Sequence, residues 1–261
     1  MKKIAIIGGG NMGAAILGGI KGRYSVIVCE KDATKVKFLQ KKYRVKIADL
    51  REAVGQSDII LLAVKPQDFE QVLAEIKADL ISSKLVISIA AGITTKYIEK
   101  KLGASARVIR CMPNLPLLVG QGITGICRGR RATNTDEQLA ANIFKSVGEV
   151  VLVQEKWMDA VTAVSGSGPA YVFLFVECWL KAAKNLGFSD EQSKALVIST
   201  LKGSLALLEK SKDSPEVLRA KVTSKGGTTQ AAMDVFARRK FDQIFTEALA
   251  AAKKRAKELA K

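Results

Sequence analysis

The sequence contains no histidine. That absence removes the side chain most often used as a general base and the commonest metal ligand. Histidine-assisted alcohol oxidation and serine hydrolysis are excluded, no metal site is expected, and any chemistry must run on Lys, Glu, Asp, Thr, Ser, Tyr or backbone donors. Cysteine is also sparse: Cys29, Cys111, Cys127 and Cys178 lie far apart with no Cys-x-x-Cys pair. Neither a zinc site nor a disulfide framework is indicated, and reduced, mostly buried thiols suit the cytoplasm. Long apolar runs are missing as well. The N-terminal run stops at Gly8, too short for a signal peptide, and the run from Ala170 to Leu180 is interrupted by Glu177. A soluble cytoplasmic protein without a membrane span is therefore expected.

What the chain has in excess is positive charge, 42 Lys plus Arg against 25 Asp plus Glu, a net +17. Such a surplus attracts nucleic acid, anionic membranes or anionic small molecules. The basic residues are scattered, however, with local density only at Arg128-Gly129-Arg130-Arg131, Arg238-Arg239-Lys240 and Lys253-Lys254-Arg255. No RNA-binding aromatic motif or zinc-finger spacing accompanies them, so no nucleic-acid partner is expected.

The first half alternates short β-branched runs with helical patterns, as parallel βαβ units do. Strands are expected at Lys3 to Ile7, Ser25 to Cys29, Asp58 to Val64, Leu85 to Ile89, Arg107 to Met112, Ile123 to Cys127 and Glu149 to Val153. Between them, Val36, Leu39 and Tyr43 keep helical spacing behind an Asp32 cap, and Thr135 with Gln138 reads as a capping box. The pattern predicts a doubly wound, mostly parallel sheet over residues 1–154. After Val153 the strand signals fade. Pro169 opens an apolar helix from Ala170 to Leu186 that Gly187 ends, Ser189 with Gln192 caps a helix reaching Leu208, Ser214-Pro215 opens a short one, and a last helix runs from near Asp242 to the C-terminus. Residues 155–261 should thus form an all-helical domain, and a helix as apolar as Tyr171 to Leu180 calls for another subunit rather than lipid.

Gly8-Gly9-Gly10-Asn11-Met12-Gly13 follows a strand and precedes the helix carrying Ile16, Leu17 and Ile20. Gly8 permits a tight turn, Gly10 lets the backbone approach a pyrophosphate, and Gly13 lets helix and strand pack closely. Glu30 ends the second strand, where a carboxylate accepts hydrogen bonds from the ribose hydroxyls of NADH and repels the 2′-phosphate of NADPH. Lys31 and Lys35 could instead pair with that phosphate, so both cofactors stay open with a lean toward NADH. Ala63-Val64-Lys65-Pro66, Ala90-Ala91-Gly92 and Cys111-Met112-Pro113-Asn114 fall at the carboxyl ends of later strands, the edge where open α/β sheets bind ligands. Ser224-Lys225-Gly226-Gly227-Thr228-Thr229-Gln230 turns backbone N–H groups and hydroxyls into one small space at a helix entrance, which suits a carboxylate. Two other patterns read as accidents. Tyr97 and Lys101 match a Tyr-x-x-x-Lys catalytic spacing on the wrong helix, and Ser167 in Ser165-Gly166-Ser167-Gly168-Pro169 has no histidine to activate it, leaving a close-packed junction.

Taken together, Gly-Gly-Gly-Asn-Met-Gly at Gly8, Ala-Val-Lys-Pro at Ala63, Ala-Ala-Gly at Ala90, Met-Pro-Asn at Met112, Ser-Gly-Ser-Gly-Pro-Ala-Tyr at Ser165 and Gly-Gly-Thr-Thr at Gly226 resemble the pyrroline-5-carboxylate reductase family. Lys225 stands where a proline is usual, and Leu115 where a threonine is common. The resemblance implies a Rossmann-type domain over 1–154 and a helical substrate-binding and dimerisation domain over 155–261, with dimers assembled into a ring such as a decamer. It implies reduction of 1-pyrroline-5-carboxylate to proline by NADPH or NADH, the last step of proline synthesis. The substrate carboxylate would lie on the amides of Gly227, Thr228 and Thr229, within the loop that Ser224 and Gly226 shape, and the Thr229 hydroxyl would meet the ring nitrogen. Glu155 would favour the protonated imine. A cyclic iminium is already electrophilic, so the missing histidine is accounted for. The alternatives are a related β-hydroxyacid dehydrogenase using Lys181 or Lys184, another imine reductase, and a nucleotide-sensing or nucleic-acid-binding regulator.

Overall fold

The structure, a computed structural model, describes residues 1–79 and 83–260. In chain order the elements are β1 (Lys3–Ile7), α1 (Asn11–Ile20), β2 (Ser25–Cys29), α2 (Ala33–Tyr43), β3 (Lys46–Ile47), α3 (Leu50–Gly55), β4 (Ile59–Leu62), α4 (Phe69–Ile76), β5 (Leu85–Ser88), α5 (Thr95–Leu102), β6 (Arg107–Pro113), β7 (Gly122–Arg128), α6 (Asn134–Phe144) and β8 (Gly148–Leu152). Helices follow: α7 (Met158–Val161), α8 (Gly168–Asn185), α9 (Asp190–Lys210), α10 (Pro215–Lys221), α11 (Thr228–Arg238) and α12 (Phe241–Leu259).

The strands make one eight-stranded sheet in the order β3-β2-β1-β4-β5-β6-β7-β8. Every neighbouring pair is parallel except β6 with β7. Strands such as Lys3-Ile4-Ala5-Ile6-Ile7 are apolar on both faces because helices cover both. Ile4 and Ile6 join Ile16, Leu17 and Ile20 of α1 and Phe144 of α6 in one cluster, while Ala5 and Ile7 join Phe69 and Leu73 of α4 and Ile98 of α5 in the other. Each of these Ile, Leu and Phe side chains, once fully buried, contributes about 1.5–3 kcal/mol. Chain order reverses between β1 and β4, and that reversal opens a crevice outside the carboxyl ends of these strands.

The doubly wound sheet and the all-helical second half agree with the sequence pattern. Four local differences are instructive. β3 is two residues long, too short to register as a periodic run. The capping box of α6 is Thr133 with Asp136, not Thr135 with Gln138, and the Asp136 carboxylate also pairs with Arg107 at 3.0 Å. Thr162–Gly166 forms one π-helical turn between α7 and α8, with Ser167 N–H bonded back to the Thr162 carbonyl at 2.8 Å. The last helix ends at Leu259.

The chain divides into two compact units, Met1–Pro169 together with the chain from Ala251 onward, and Ala170–Ala250. Within the second, α9 starts at a complete Ser189–Gln192 capping box and α10 at Ser214 followed by Pro215. Val172, Phe173, Leu174, Phe175 and Trp179 of α8 are all exposed in the single chain.

Candidate active site

β1 runs straight into Gly8, whose φ of +104° an L side chain rarely adopts. Its N–H donates to the Cys29 carbonyl at 2.9 Å, and a Cβ there would lie 2.6 Å from the Ala63 carbonyl oxygen. The first turn is thus wedged between the ends of β2 and β4. Gly13 is closed in the same way, since a Cβ would meet the Gly8 carbonyl oxygen at 2.1 Å. Gly10 differs: it is the N-cap of α1 with no side-chain cap, and nothing lies within 4 Å of its Cβ position. The N–H groups of Asn11, Met12 and Gly13 precede the first bond of the helix, Ala14 N–H to the Gly10 carbonyl at 2.8 Å. Three unpaired donors at a positive helix end, with open space in front of a glycine, fit a dinucleotide pyrophosphate.

The neighbouring strand ends complete this edge. Glu30 Oε2 accepts the Gly9 N–H at 2.8 Å and Oε1 accepts the Asp32 N–H at 2.9 Å, so the carboxylate shapes the glycine loop itself. Lys31 and Lys35 are exposed beside it. Ala63 and Val64 are half-buried at the end of β4, and Lys65 and Pro66 turn outward into solvent. After β5 the chain turns through Ala90, Ala91 and Gly92, with Ala90 buried and Ala91 exposed. Asn114 is buried, and its Oδ1 accepts the Ile123 N–H at 2.9 Å, which fixes the start of β7.

Glu155 is held by two side chains of the sheet domain. Arg110, in the middle of β6 and 2% exposed, donates from Nη1 to Glu155 Oε1 at 2.5 Å. Oε2 accepts from the Thr95 hydroxyl at 2.6 Å and, more weakly, from the Thr95 N–H at 3.3 Å. Arg110 Nη2 is buried without a hydrogen-bond partner, 4.0 Å from Asp159. Cys127 contacts the same carboxylate at 3.5 Å; burial, and secondarily the Glu155 charge, pushes its thiol well above the usual range. Arg110 and Thr95 were missed from sequence, although one charged residue inside the apolar run Val108-Ile109-Arg110-Cys111 is a readable signal for a buried partner.

A second uncapped entrance lies in the other unit. Gly226 has φ +74°, Gly227 is the N-cap of α11 without a side-chain cap, and a Cβ on Gly227 would overlap the Ser224 hydroxyl at 2.4 Å. The Gly227 N–H donates to the Ser224 carbonyl at 3.0 Å. The donors that precede the first helical bond, Ala231 N–H to the Gly227 carbonyl at 3.1 Å, are therefore those of Thr228, Thr229 and Gln230, one residue later than the motif implied. Lys101 pairs with Glu70 and lies over the Tyr97 ring at 5.6 Å, while Gly166 is packed so closely that a Cβ would meet Met112 Cε at 2.7 Å. Lys184 forms an exposed pair with Asp190 at 2.6 Å.

A doubly wound sheet with a glycine-cradled helix entrance at its reversal point, followed by helices with a second anion-ready entrance, defines a nicotinamide-dinucleotide oxidoreductase with a Rossmann-type domain. Comparison with known proteins narrows this class. Residues 155–259 match the family model for pyrroline-5-carboxylate reductase dimerisation, and residues 3–92 match that for NADP oxidoreductase, coenzyme F420-dependent. The pyrroline-5-carboxylate reductase of Mycobacterium tuberculosis is 37% identical over 99% of this chain and 97% of that protein. A pyrroline-5-carboxylate reductase structure from Coxiella burnetii superposes with a TM-score of 0.92 at 37% identity, covering 100% of this chain and 99% of that one. The Plasmodium falciparum pyrroline carboxylate reductase, solved with NADP bound, gives a TM-score of 0.88 at 33% identity, covering 100% and 98%. The chain belongs to the pyrroline-5-carboxylate reductase family.

Proposed function

We propose that this protein reduces 1-pyrroline-5-carboxylate to L-proline with NADPH or NADH, and that residues 1–154 hold the cofactor while residues 155–261 bind substrate and dimerise. The observation that carries the reading is the pair of glycine-entered, uncapped helix N-termini, at α1 and α11, in a chain without histidine. The amides of Asn11, Met12 and Gly13 take the pyrophosphate, and Gly8 and Gly10 keep the approach open. Ala63, Val64, Lys65, Pro66, Ala90, Ala91 and Asn114 line the strand ends beside the bound ring and ribose. When bound, the reduced nicotinamide supplies the hydride.

The chain's own task is placement and electrostatics. Thr228, Thr229 and Gln230 donate N–H groups to the substrate carboxylate, in a loop whose shape Ser224, Gly226 and Gly227 set. The Thr229 hydroxyl accepts the N–H of the protonated imine and orients C5 for attack. Because the iminium carries its own positive charge, no side chain has to remove or deliver a proton while the C–H bond forms. Glu155 contributes through its hold on Arg110 and Thr95.

The helical segment forms a homodimer, and we read the dimers as units of a ring such as a decamer. One helical stretch among the described residues, Glu155–Asn185, is long and apolar enough to cross a membrane by length and composition. It lies within the dimerisation match, which supports a subunit interface for that surface. Three buried free thiols support a cytoplasmic location. The test is spectrophotometric: purified protein should oxidise NADPH or NADH only when pyrroline-5-carboxylate is present, with proline as product. Folded protein inactive with both cofactors would overturn the assignment.

A further inference from the structure

The turn after β5 is tied down from two sides. On its inner side the Ala90 N–H donates to Ser88 Oγ at 3.2 Å, the Ile93 N–H reaches the Ala90 carbonyl at 3.4 Å, and Ala90 and Ile93 are 3% and 1% exposed. On its outer side lies the end of α12. Gly92, buried at φ +73°, has no room for a side chain, because a Cβ would sit 2.8 Å from the Leu259 carbonyl oxygen and 3.2 Å from its carbonyl carbon. The chain from Ala251 onward belongs to the same compact unit as this turn. Within it Ala256 is buried, and the Ala260 N–H closes the helix end on the Lys257 carbonyl at 3.2 Å. The Leu259 side chain is itself 56% exposed and only its Cβ, at 3.6 Å, joins the backbone atoms at the contact, which therefore depends on the helix reaching that far and not on the rest of the side chain.

We propose that the C-terminal end of α12 is a strut for the Ala90–Gly92 turn, making Gly92 and the Leu259 backbone positioning elements for the dinucleotide. The proposal rests on the reading that Ala90 and Ala91 face the cofactor. Beyond those inner contacts, a turn of three small residues has no large side chain to brace its outer face. With the helix end on Gly92, it meets the cofactor already in place, and less ordering accompanies binding.

The experiment compares the full chain with a chain stopped after Ala256 and with Leu259→Ala. In the shortened protein, without cofactor, amide exchange at Ala90 to Ile93 should accelerate. The Kd for NADPH and NADH should rise together by about threefold to tenfold, with KM for the imine at saturating cofactor unchanged. Leu259→Ala should behave as the full chain does. Unchanged exchange and unchanged Kd in the shortened protein overturn the strut, as does a joint rise of both KM values with a fall in Tm, which marks general destabilisation. Should the shortened chain fail to fold, Ala256→Asp lifts the same helix end and is read in the same way. Full-length protein that binds neither cofactor would defeat the cofactor assignment, while the exchange measurement still decides the contact.

Discussion

Glu30 is engaged by the glycine loop before any ligand arrives. Its oxygens already hold the N–H groups of Gly9 and Asp32, which leaves remaining lone pairs, not a free side chain, for ribose hydroxyls. Glu30→Ser should therefore lower kcat/KM with both cofactors. It should also move the NADPH to NADH ratio toward NADPH by roughly tenfold, the worth of about 1.4 kcal/mol of like-charge repulsion and displaced hydrogen bonds. An unchanged ratio would transfer cofactor choice to Lys31 and Lys35. Thr229→Ala should cost about 1–3 kcal/mol in kcat/KM, the range for a hydrogen bond to a charged group, with cofactor Kd unaltered. Glu155 separates two roles by pH. Because Arg110 is buried, removing the Glu155 charge leaves it only the longer contact to Asp159 at 4.0 Å, so Glu155→Gln should destabilise the fold, by up to about 3 kcal/mol. If Glu155 acts by holding Arg110 and Thr95, the shape of the kcat/KM pH profile should survive the substitution. Loss of one limb would make it a substrate acid instead.

The glycines of the first loop divide by what surrounds them, and so do their expected substitutions. Gly13→Ala drives a Cβ into the Gly8 backbone and should lower Tm and cofactor affinity together. Gly10→Ala meets no protein atom, sits at an ordinary φ of −66°, and should leave Tm within about 1 °C while weakening cofactor binding, because only the ligand needs that space. Calorimetry with a cofactor titration distinguishes them. At this scale much was legible: continuous apolar runs at Lys3–Ile7 and Ser25–Cys29 match strands residue for residue, and Asp32, Ser189 and Ser214 cap the helices they were expected to cap. What escaped was settled by non-local partners. Asp136 takes the capping role two residues ahead of the expected box because Arg107, far off in sequence, also binds it. The Arg110–Glu155 pair likewise joins residues 45 apart.

The whole molecule is set by a surface that one chain cannot cover. Four successive residues of α8, Val172 to Phe175, are each at least 42% exposed, so the helix is apolar all round and not along a single stripe. Such a helix is stable in water only when buried on several sides. The match of residues 155–259 to the dimerisation family supplies the cover, a second copy, for an apolar helix that the isolated chain leaves largely exposed. The smallest stable species should therefore be a dimer at micromolar concentration by light scattering, with a Tm that rises with protein concentration because assembly and folding are linked. Leu174→Glu places a charge in that surface and should yield monomer, or protein of much lower Tm, while leaving the first unit's strands intact. A wild-type monomer with concentration-independent Tm would contradict the interface, and the apolar face of α8 would then require a different cover.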